Sequence, residues 1–317
     1  MINEVCGQLP SVNNNVKVLF IAGPTRSGST IIGNILGQIK GFFHAGELIE
    51  AWDRGRTWKC SCGKDPIICE VWSQIFKTLN SVISRTDQAE IIRIRNKLSQ
   101  SLRVIINQYQ HPYKLVTNTP EDRYLSGLAT LYKIIQNKTG AEIIIDSSKN
   151  VGYCETLKRV NAIELYVLHL IRDSRATVFS WSKKKRGLWK VHPLKTAAVW
   201  SSRNMAAEFL KNGLSNRYIK MRYEDFINTP QEKVRAILKI LNVGKVQLPF
   251  ISSNEVMLKT SHGLCGNPGR FNCGVEKLEM DNRWKNMKLS DNLMATFLTW
   301  PLLLRYNYQL LDLAKRH

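Results

Sequence analysis

The chain has 317 residues, 44% of them hydrophobic, and its 46 Lys and Arg against 25 Asp and Glu leave a formal charge of +21. That is enough apolar material for a real core and excludes a disordered tail, while the basic excess selects an anionic partner: nucleic acid, a membrane surface or a phosphorylated small molecule. The longest apolar stretch, about residues 293–304, is roughly half the ~20 residues of a bilayer span and contains Pro301, so it reads as a buried terminal helix; no membrane span is present, and no membrane partner is expected.

The first fifteen residues, with Glu4, Pro10 and asparagines at 13–15, lack the basic start and apolar core of a secretory signal. Seven cysteines are too few for a disulfide scaffold of this size, and an odd number cannot all pair within the chain. A cytoplasmic protein with reduced thiols is expected.

Residues 16–22 (VKVLFIA) form a continuous apolar run, as expected for a strand buried on both faces of a parallel sheet. A Gly-rich turn and a helix over 30–38 follow. Strands of the same kind are expected at 142–145, 165–171 and 217–221, each followed by a helix-like segment, and this alternation predicts an α/β fold with a central, mainly parallel sheet flanked by helices. Between the first two strands lies an insertion, about 50–140, holding a Cys/Trp-rich loop and two helices. In it Ile91, Ile94, Leu98, Leu102, Ile105 and Tyr109 keep a helical period, with Arg93, Arg95 and Arg103 between them. This insertion is expected to cover the mouth of the site as a lid. Later helices are expected at 173–185, 193–211 (opened by Pro193), 230–241 and 291–313. Without an internal repeat or linker, 1–317 reads as one domain.

The turn after the first strand reads Gly23-Pro24-Thr25-Arg26-Ser27-Gly28-Ser29-Thr30. A Gly-rich loop between strand and helix lets free N–H groups and the helix N-terminus surround an anion. A triphosphate loop would read GxxxxGK[ST], but here Ser29 holds the lysine position and the cation has moved to Arg26. That suits a 5′-phosphate and its leaving group, without a γ-phosphate or a metal. After the strand at 165–171, Arg172, Arg175 and Ser180 open a helix, where a guanidinium fork and a hydroxyl are spaced to close on a second phosphate.

Together these motifs resemble those of sulfotransferases that use 3′-phosphoadenosine 5′-phosphosulfate (PAPS). TRSGST is similar to the family's 5′-phosphosulfate loop and IRDSRATVFS to its 3′-phosphate motif. The segments Arg222-Tyr223-Glu224-Asp225 before Pro230, Asp146-Ser147-Ser148-Lys149 and Gly266-Asn267-Pro268-Gly269-Arg270-Phe271 agree. The resemblance spans about 16–285 and implies a P-loop-like three-layer fold and transfer of a sulfuryl group to a hydroxyl or amine, releasing 3′-phosphoadenosine 5′-phosphate (PAP). It implies that Arg26 lies against the bridging oxygen, that Ser27, Gly28, Ser29 and Thr30 hold the 5′-phosphate, and that Arg172 and Ser180 hold the 3′-phosphate. Arg270 would be a third contact there, Asn267 would belong to the donor site, and Tyr223 would lie near the adenine. Arg26 in place of Lys points to the tyrosylprotein and bacterial branches.

The acceptor needs a base, because a neutral alcohol is a poor nucleophile until its proton leaves. Cytosolic members use His on the segment that here reads DSSK, and none is present. Phe43-His44-Ala45-Gly46-Glu47 resembles the Gly-Glu of tyrosylprotein sulfotransferases, which implies Glu47 as the base, with His44 the alternative. Lys149 matches a lysine that assists the transferring group. Ser261 and His262 stand before the GNP segment without a definable role, and His169, inside a strand, reads as core.

Cys60-Ser61-Cys62-Gly63 with Cys69 and Trp72 has the look of a zinc site, but it offers three thiols where structural zinc takes four ligands. His44 or another cysteine is left to complete it, and no metal is expected. The same segment is similar to one in bacterial-type sulfotransferases, which implies a packed loop or a Cys62–Cys69 disulfide near the acceptor entrance. Trp181, Trp189 and Trp200 read as mostly core, and the basic run at 183–186 as a solvated helix end. With neither a helix-turn-helix nor an RNA-binding signature, nucleic acid is not the expected partner. Two other functions remain: a kinase or NTPase with Asp146 as the Mg²⁺-binding strand end, and a basic binding protein without chemistry. The expected acceptor is a small secondary metabolite, with carbohydrate or lipid hydroxyls next; Glu50, Asp53 and Asp122 are carboxylates that would suit a cationic one. Monomer and homodimer are both open.

Overall fold

The computed structural model describes residues 15–100, 119–183 and 191–310. Five strands, β1 (Val16–Ala22), β2 (Phe42–Gly46), β3 (Ile143–Lys149), β4 (Ile163–Ile171) and β5 (Tyr218–Arg222), form one sheet in the order β2-β3-β1-β4-β5. Every neighbouring pair is parallel. Four of the strands match the expected apolar runs. The fifth, β2, reads FFHAG, too short and too mixed to announce itself, and it pairs at the sheet edge through Phe42, Phe43 and His44 opposite Ile143, Ile144 and Ile145.

From β1 the chain crosses to β2 and β3 on one side, then to β4 and β5 on the other. The C-terminal end of β1 is therefore the topological switch point, where open α/β sheets form their crevice. Helix α1 (Ser29–Leu36) opens directly from that point.

The insertion holds three helices among the described residues: α2 (Trp72–Val82), α3 (Arg85–Leu98) and α4 (Pro120–Thr139). Leu102, Arg103, Ile105 and Tyr109 lie outside the described residues. These helices build a core on one face of the sheet, where Trp72, Ile75, Leu79, Ile91, Leu128 and Leu131 join Val18, Phe20 and Ile144. The opposite face is covered by α1 and α9 (Pro230–Ile240), through Ile32, Ile35, Val234 and Ile237 against Leu19, Ile21, Ile145 and Leu168. This is the three-layer arrangement expected. Thr119 and Asp122 close a capping box at the start of α4, so Asp122 is fixed by that cap.

Four more helices follow: α5 (Val151–Leu157), α6 (Ser174–Ser182), α7 (Pro193–Phe209) and α8 (Tyr223–Asn228). A small hairpin, β6 (Glu255–Leu258) with β7 (Gly274–Lys277), precedes the terminal helix α10 (Leu289–Arg305). The expectation that this last helix is buried does not hold: Ala295, Thr299 and Leu303 face inward, while Leu293, Phe297, Trp300 and Leu304 are exposed. An apolar count cannot tell which side of a helix meets the core. No described helix is long and apolar enough to cross a membrane.

Candidate active site

Three chain segments leave neighbouring strand ends and converge. The loop after β1 carries Arg26, the end of β3 is Lys149, and Glu47 follows β2. The ladder shifts register between Phe20 and Ala22 against β3, and between His44 and Gly46 where β2 meets β3. Such irregularities bend a strand and re-aim its side chains. Here they bring Glu47 and Lys149, 102 residues apart, into an ion pair with Lys149 Nζ 2.5 Å from Glu47 Oε1. Lys149 Nζ also donates to Ser147 O at 2.8 Å. Glu47 Oε2 accepts no hydrogen bond from the described residues.

Arg26 and Lys149 both sit in the left-handed region, at φ 68° and 64°. A side chain there costs of order 1–3 kcal/mol and persists only where surroundings hold it. For Arg26 the support is Trp181, whose ring lies 5.2 Å beneath the guanidinium and whose Nε1 donates to Thr25 Oγ1 at 3.3 Å. Burial lowers the Arg26 pKa, and the nearby Glu47 charge opposes that shift.

Gly28, at φ 96°, caps α1 with no side-chain partner, and a Cβ there would meet the Tyr223 ring at 2.3 Å. The first N–H groups of α1 have no acceptor within the helix, and its first turn holds no acidic residue. Ser27 Oγ is buried without a hydrogen-bond partner. A buried, unsatisfied hydroxyl beside a helix N-terminus under a bare glycine backbone is the cradle a phosphate fits.

Arg172 spans from this loop to the second phosphate motif. Its Nη1 donates to Arg26 O at 3.2 Å, its guanidinium lies 4.8 Å over Tyr223, and Nη2 stands 3.9 Å from Asp281 Oδ2. The Asp281 carboxyl is held down to about 2, chiefly by its hydrogen bond from Arg283. Arg172, Ser180, Arg26, Gly28, Ser29, Thr30, Glu47, Lys149 and Asn267 line one cleft of about 520 Å³, within the range of small-molecule sites. A larger hollow, about 1040 Å³, lies at the opposite strand ends around Lys17, Asn137 and Glu142, without such a loop or such clustered cations.

Other expected residues fall elsewhere. Arg270 is nearly buried and turns away from the cleft: its guanidinium donates to Gly266 O at 2.8 Å and Lys59 O at 3.1 Å, so it fixes backbone. Arg175 is spent on Asp173, at 2.7 Å, and on the carbonyls of Gln309 and Leu310. His44 is buried behind α1 between Asn34 Oδ1 and Ser147 Oγ; burial, then the Lys149 charge, lowers its pKa to about 3. It does not reach the cleft. Asp146 is also enclosed, accepting from Tyr132, at 2.5 Å, and from Ser148. Asp53 is taken by Arg95, whereas Glu50 does line the cleft, paired with Arg54 at 3.1 Å. His169 is a satisfied core residue between Tyr218 and Asn204. Trp200 is core as expected, but Trp181 lines the cleft; Trp189 and residues 184–186 lie outside the described residues.

A sequence model of the sulfotransferase family matches residues 19–245, from the first strand past the second phosphate motif. The chain belongs to the sulfotransferase family. Two solved sulfotransferase domains share the fold. One, from the Synechococcus PCC 7002 olefin synthase, is 16% identical with a TM-score of 0.50, covering 93% of this chain and 97% of that one. The other, from the curacin biosynthetic pathway, is 16% identical with a TM-score of 0.53, covering 95% and 99%. No curated protein matches the chain in sequence.

For this sulfotransferase, the sequence reading passed over Trp181 as a floor to Arg26, Asp281 as a neighbour of Arg172, and Arg203. Arg203, on α7, is partly buried, with Glu47 near enough to offset part of the pKa drop that burial causes. Nothing in the local sequence around Arg203 distinguishes it from a solvated helix residue.

Proposed function

We propose that the protein transfers the sulfuryl group of PAPS to a hydroxyl or amine of a small-molecule acceptor, releasing PAP. The acceptor would be a secondary metabolite first, and a carbohydrate or lipid hydroxyl next. The observation that carries this reading is the Glu47–Lys149 pair at the mouth of the Arg26 loop. It sets a carboxylate, two cations and an anion cradle within one cleft.

PAPS, when bound, supplies an activated sulfuryl group on a phosphate leaving group. In this reading residues 27–30 and the α1 N-terminus bind the 5′-phosphate, which would satisfy the orphaned Ser27 hydroxyl. Arg26 neutralises charge that develops on the leaving phosphate, a role worth most where water is excluded. Arg172 and Ser180 bind the 3′-phosphate, and Tyr223 supports both sites by packing on Gly28 and Arg172. Glu47 takes the acceptor proton on Oε2 while Lys149 holds Oε1 and orients the carboxylate. At the acceptor end, Glu50, Arg54 and the exposed Trp58 offer a carboxylate and an aromatic face, which suits a small molecule with an apolar part. We read the protein as a cytoplasmic enzyme.

A kinase is disfavoured by the enclosure of Asp146, which keeps the strand-end acid from the cleft. Calorimetric titration of the purified protein with PAP, and separately with ATP and Mg²⁺, tests the donor. Tight PAP binding with little response to ATP is the expected result; preference for ATP·Mg²⁺ would overturn the reading.

A further inference from the structure

Behind the cleft, the Cys/Trp-rich loop closes on a residue that sequence spacing could not bring to it. Cys60, Cys62, Cys69 and His262 place one ligand atom each within 4.8 Å of all the others. His44, the fourth ligand left open by the sequence, is far off beside Asn34; His262 takes that place from 193 residues beyond Cys69. We propose that these four residues bind a structural zinc ion, contrary to the expectation of a metal-free protein drawn from three thiols alone.

Four of the six separations between these atoms are close to those a tetrahedral ion imposes, and the other two are no longer than 4.8 Å. Zinc–sulfur bonds near 2.3 Å and zinc–nitrogen bonds near 2.0 Å give edges of about 3.8 Å between sulfurs and about 3.5 Å between sulfur and nitrogen. The sulfurs of Cys69 and Cys60 stand 3.7 Å apart and those of Cys62 and Cys69 3.8 Å, while His262 Nδ1 lies 3.3 Å from Cys69 Sγ and 3.9 Å from Cys60 Sγ. All three cysteines are unbonded.

The surroundings hold this set in place. His262 presents Nδ1 to the thiols and Nε2 to Glu70, 3.2 Å away, the carboxylate–histidine arrangement that fixes a ligating imidazole's tautomer. Trp72 Nε1 donates to His262 O, and Ser61 N and Oγ both donate to Gly263 O. Cys60 and Cys69 are fully buried, so only the Cys62 and His262 side opens toward solvent. On binding, three S–H protons leave to solvent, and three Zn–S bonds and one Zn–N bond form, a complex of net charge −1 in a strongly basic chain.

The ion would staple the Cys loop to the segment that carries Leu264. Leu264 N donates to Ala45 O and Leu264 O accepts from Glu47 N, so the backbone around the proposed base hangs from the stapled segment. His262 does not itself line the cleft, and its role is positioning.

The test uses the full chain, purified under reducing conditions without an affinity tag that binds metal. Elemental analysis should find about one zinc per chain, and Co²⁺ exchanged into the site should give intense visible bands of a tetrahedral ion with thiolate charge transfer in the near ultraviolet. His262→Ala should lose the ion, and His262→Cys should retain it with the cobalt spectrum shifted toward four thiolates. Substoichiometric zinc with no tetrahedral cobalt spectrum from the reduced wild-type protein would overturn the proposal, as would full retention of zinc by His262→Ala. A Cys62–Cys69 disulfide in the freshly purified protein, found by alkylation and mass spectrometry, would overturn it equally. Because the wild-type cobalt spectrum decides on its own, a variant that fails to fold leaves the test intact.

Discussion

Arg172→Ala separates the two proposed phosphate sites. The guanidinium spends one N–H on Arg26 O and has only a long 3.9 Å contact with Asp281, which leaves at least two donors for a 3′-phosphate. Hydrogen bonds to a charged partner contribute roughly 1.5–3 kcal/mol each, and competition from Asp281 reduces the sum, so a loss of about 2–4 kcal/mol in PAP binding is expected. At 1.4 kcal/mol per tenfold, that weakens Kd by ~30- to ~1000-fold. Adenosine 5′-phosphate lacks the 3′-group, and its loss should be no more than about fivefold, the indirect effect of freeing the Arg26 carbonyl. Calorimetry with both ligands on wild type and variant gives the ratio directly. Equal losses for the two ligands would refute the placement of the 3′-phosphate at Arg172, and an unchanged Kd for both would remove Arg172 from the donor site.

Glu47→Gln should lower turnover by ~10²-fold or more while PAP affinity stays within a few-fold, since the proton acceptor is lost and the residues assigned to the phosphates are untouched; steady-state rates beside PAP calorimetry check this, and unchanged turnover moves the base elsewhere. Gly46→Ala places a Cβ 2.1 Å from Leu264 O at φ 82°, and left-handed strain plus overpacking should destabilise the fold by about 2–4 kcal/mol. Urea unfolding measures this, and a loss below 1 kcal/mol would show that the segment around Leu264 yields easily. Burial lowers the pKa of His169 to about 4 in the folded protein, so its contribution to stability is complete above about pH 6.5 and fades as pH falls toward 4. His169→Asn removes that proton uptake by the unfolded chain, and the slope of stability against pH between 4.5 and 6 should drop by about 1.4 kcal/mol per unit relative to wild type. An identical slope in the variant means the buried imidazole is charged in the folded state.

What the sequence revealed was what local chemistry controls. The run VKVLFIA, the loop with Arg26 and Gly28, and the Arg172 to Ser180 spacing each declare themselves within ten residues. The strand β2 was missed because an edge strand of five mixed residues carries no period to read. The Gly266 and Lys59 carbonyls that Arg270 holds were not legible, because an arginine beside a Gly-rich motif reads alike whether its fork faces a ligand or a backbone carbonyl. His262 was invisible as a partner of the cysteines for another reason: its neighbourhood is made by a chain reversal almost two hundred residues away, and spacing rules see only contiguous stretches. The same limit hid Trp181, whose place under Arg26 depends on how α6 docks against the β1 loop.

The ion pair of Glu47 and Lys149 sits at the ends of adjacent strands, β2 and β3, just past the last rung of their ladder, Gly46 opposite Asp146. The segment carrying Leu264 completes the arrangement by accepting from Glu47 N just beyond the end of β2. The residues at the acceptor end, Glu50, Arg54 and Trp58, belong instead to short helical turns outside the ladder. In the proposed reading the cleft thus divides its labour: the groups assigned to the reaction sit at the sheet's edge, and the groups assigned to the acceptor are fittings on turns beside it.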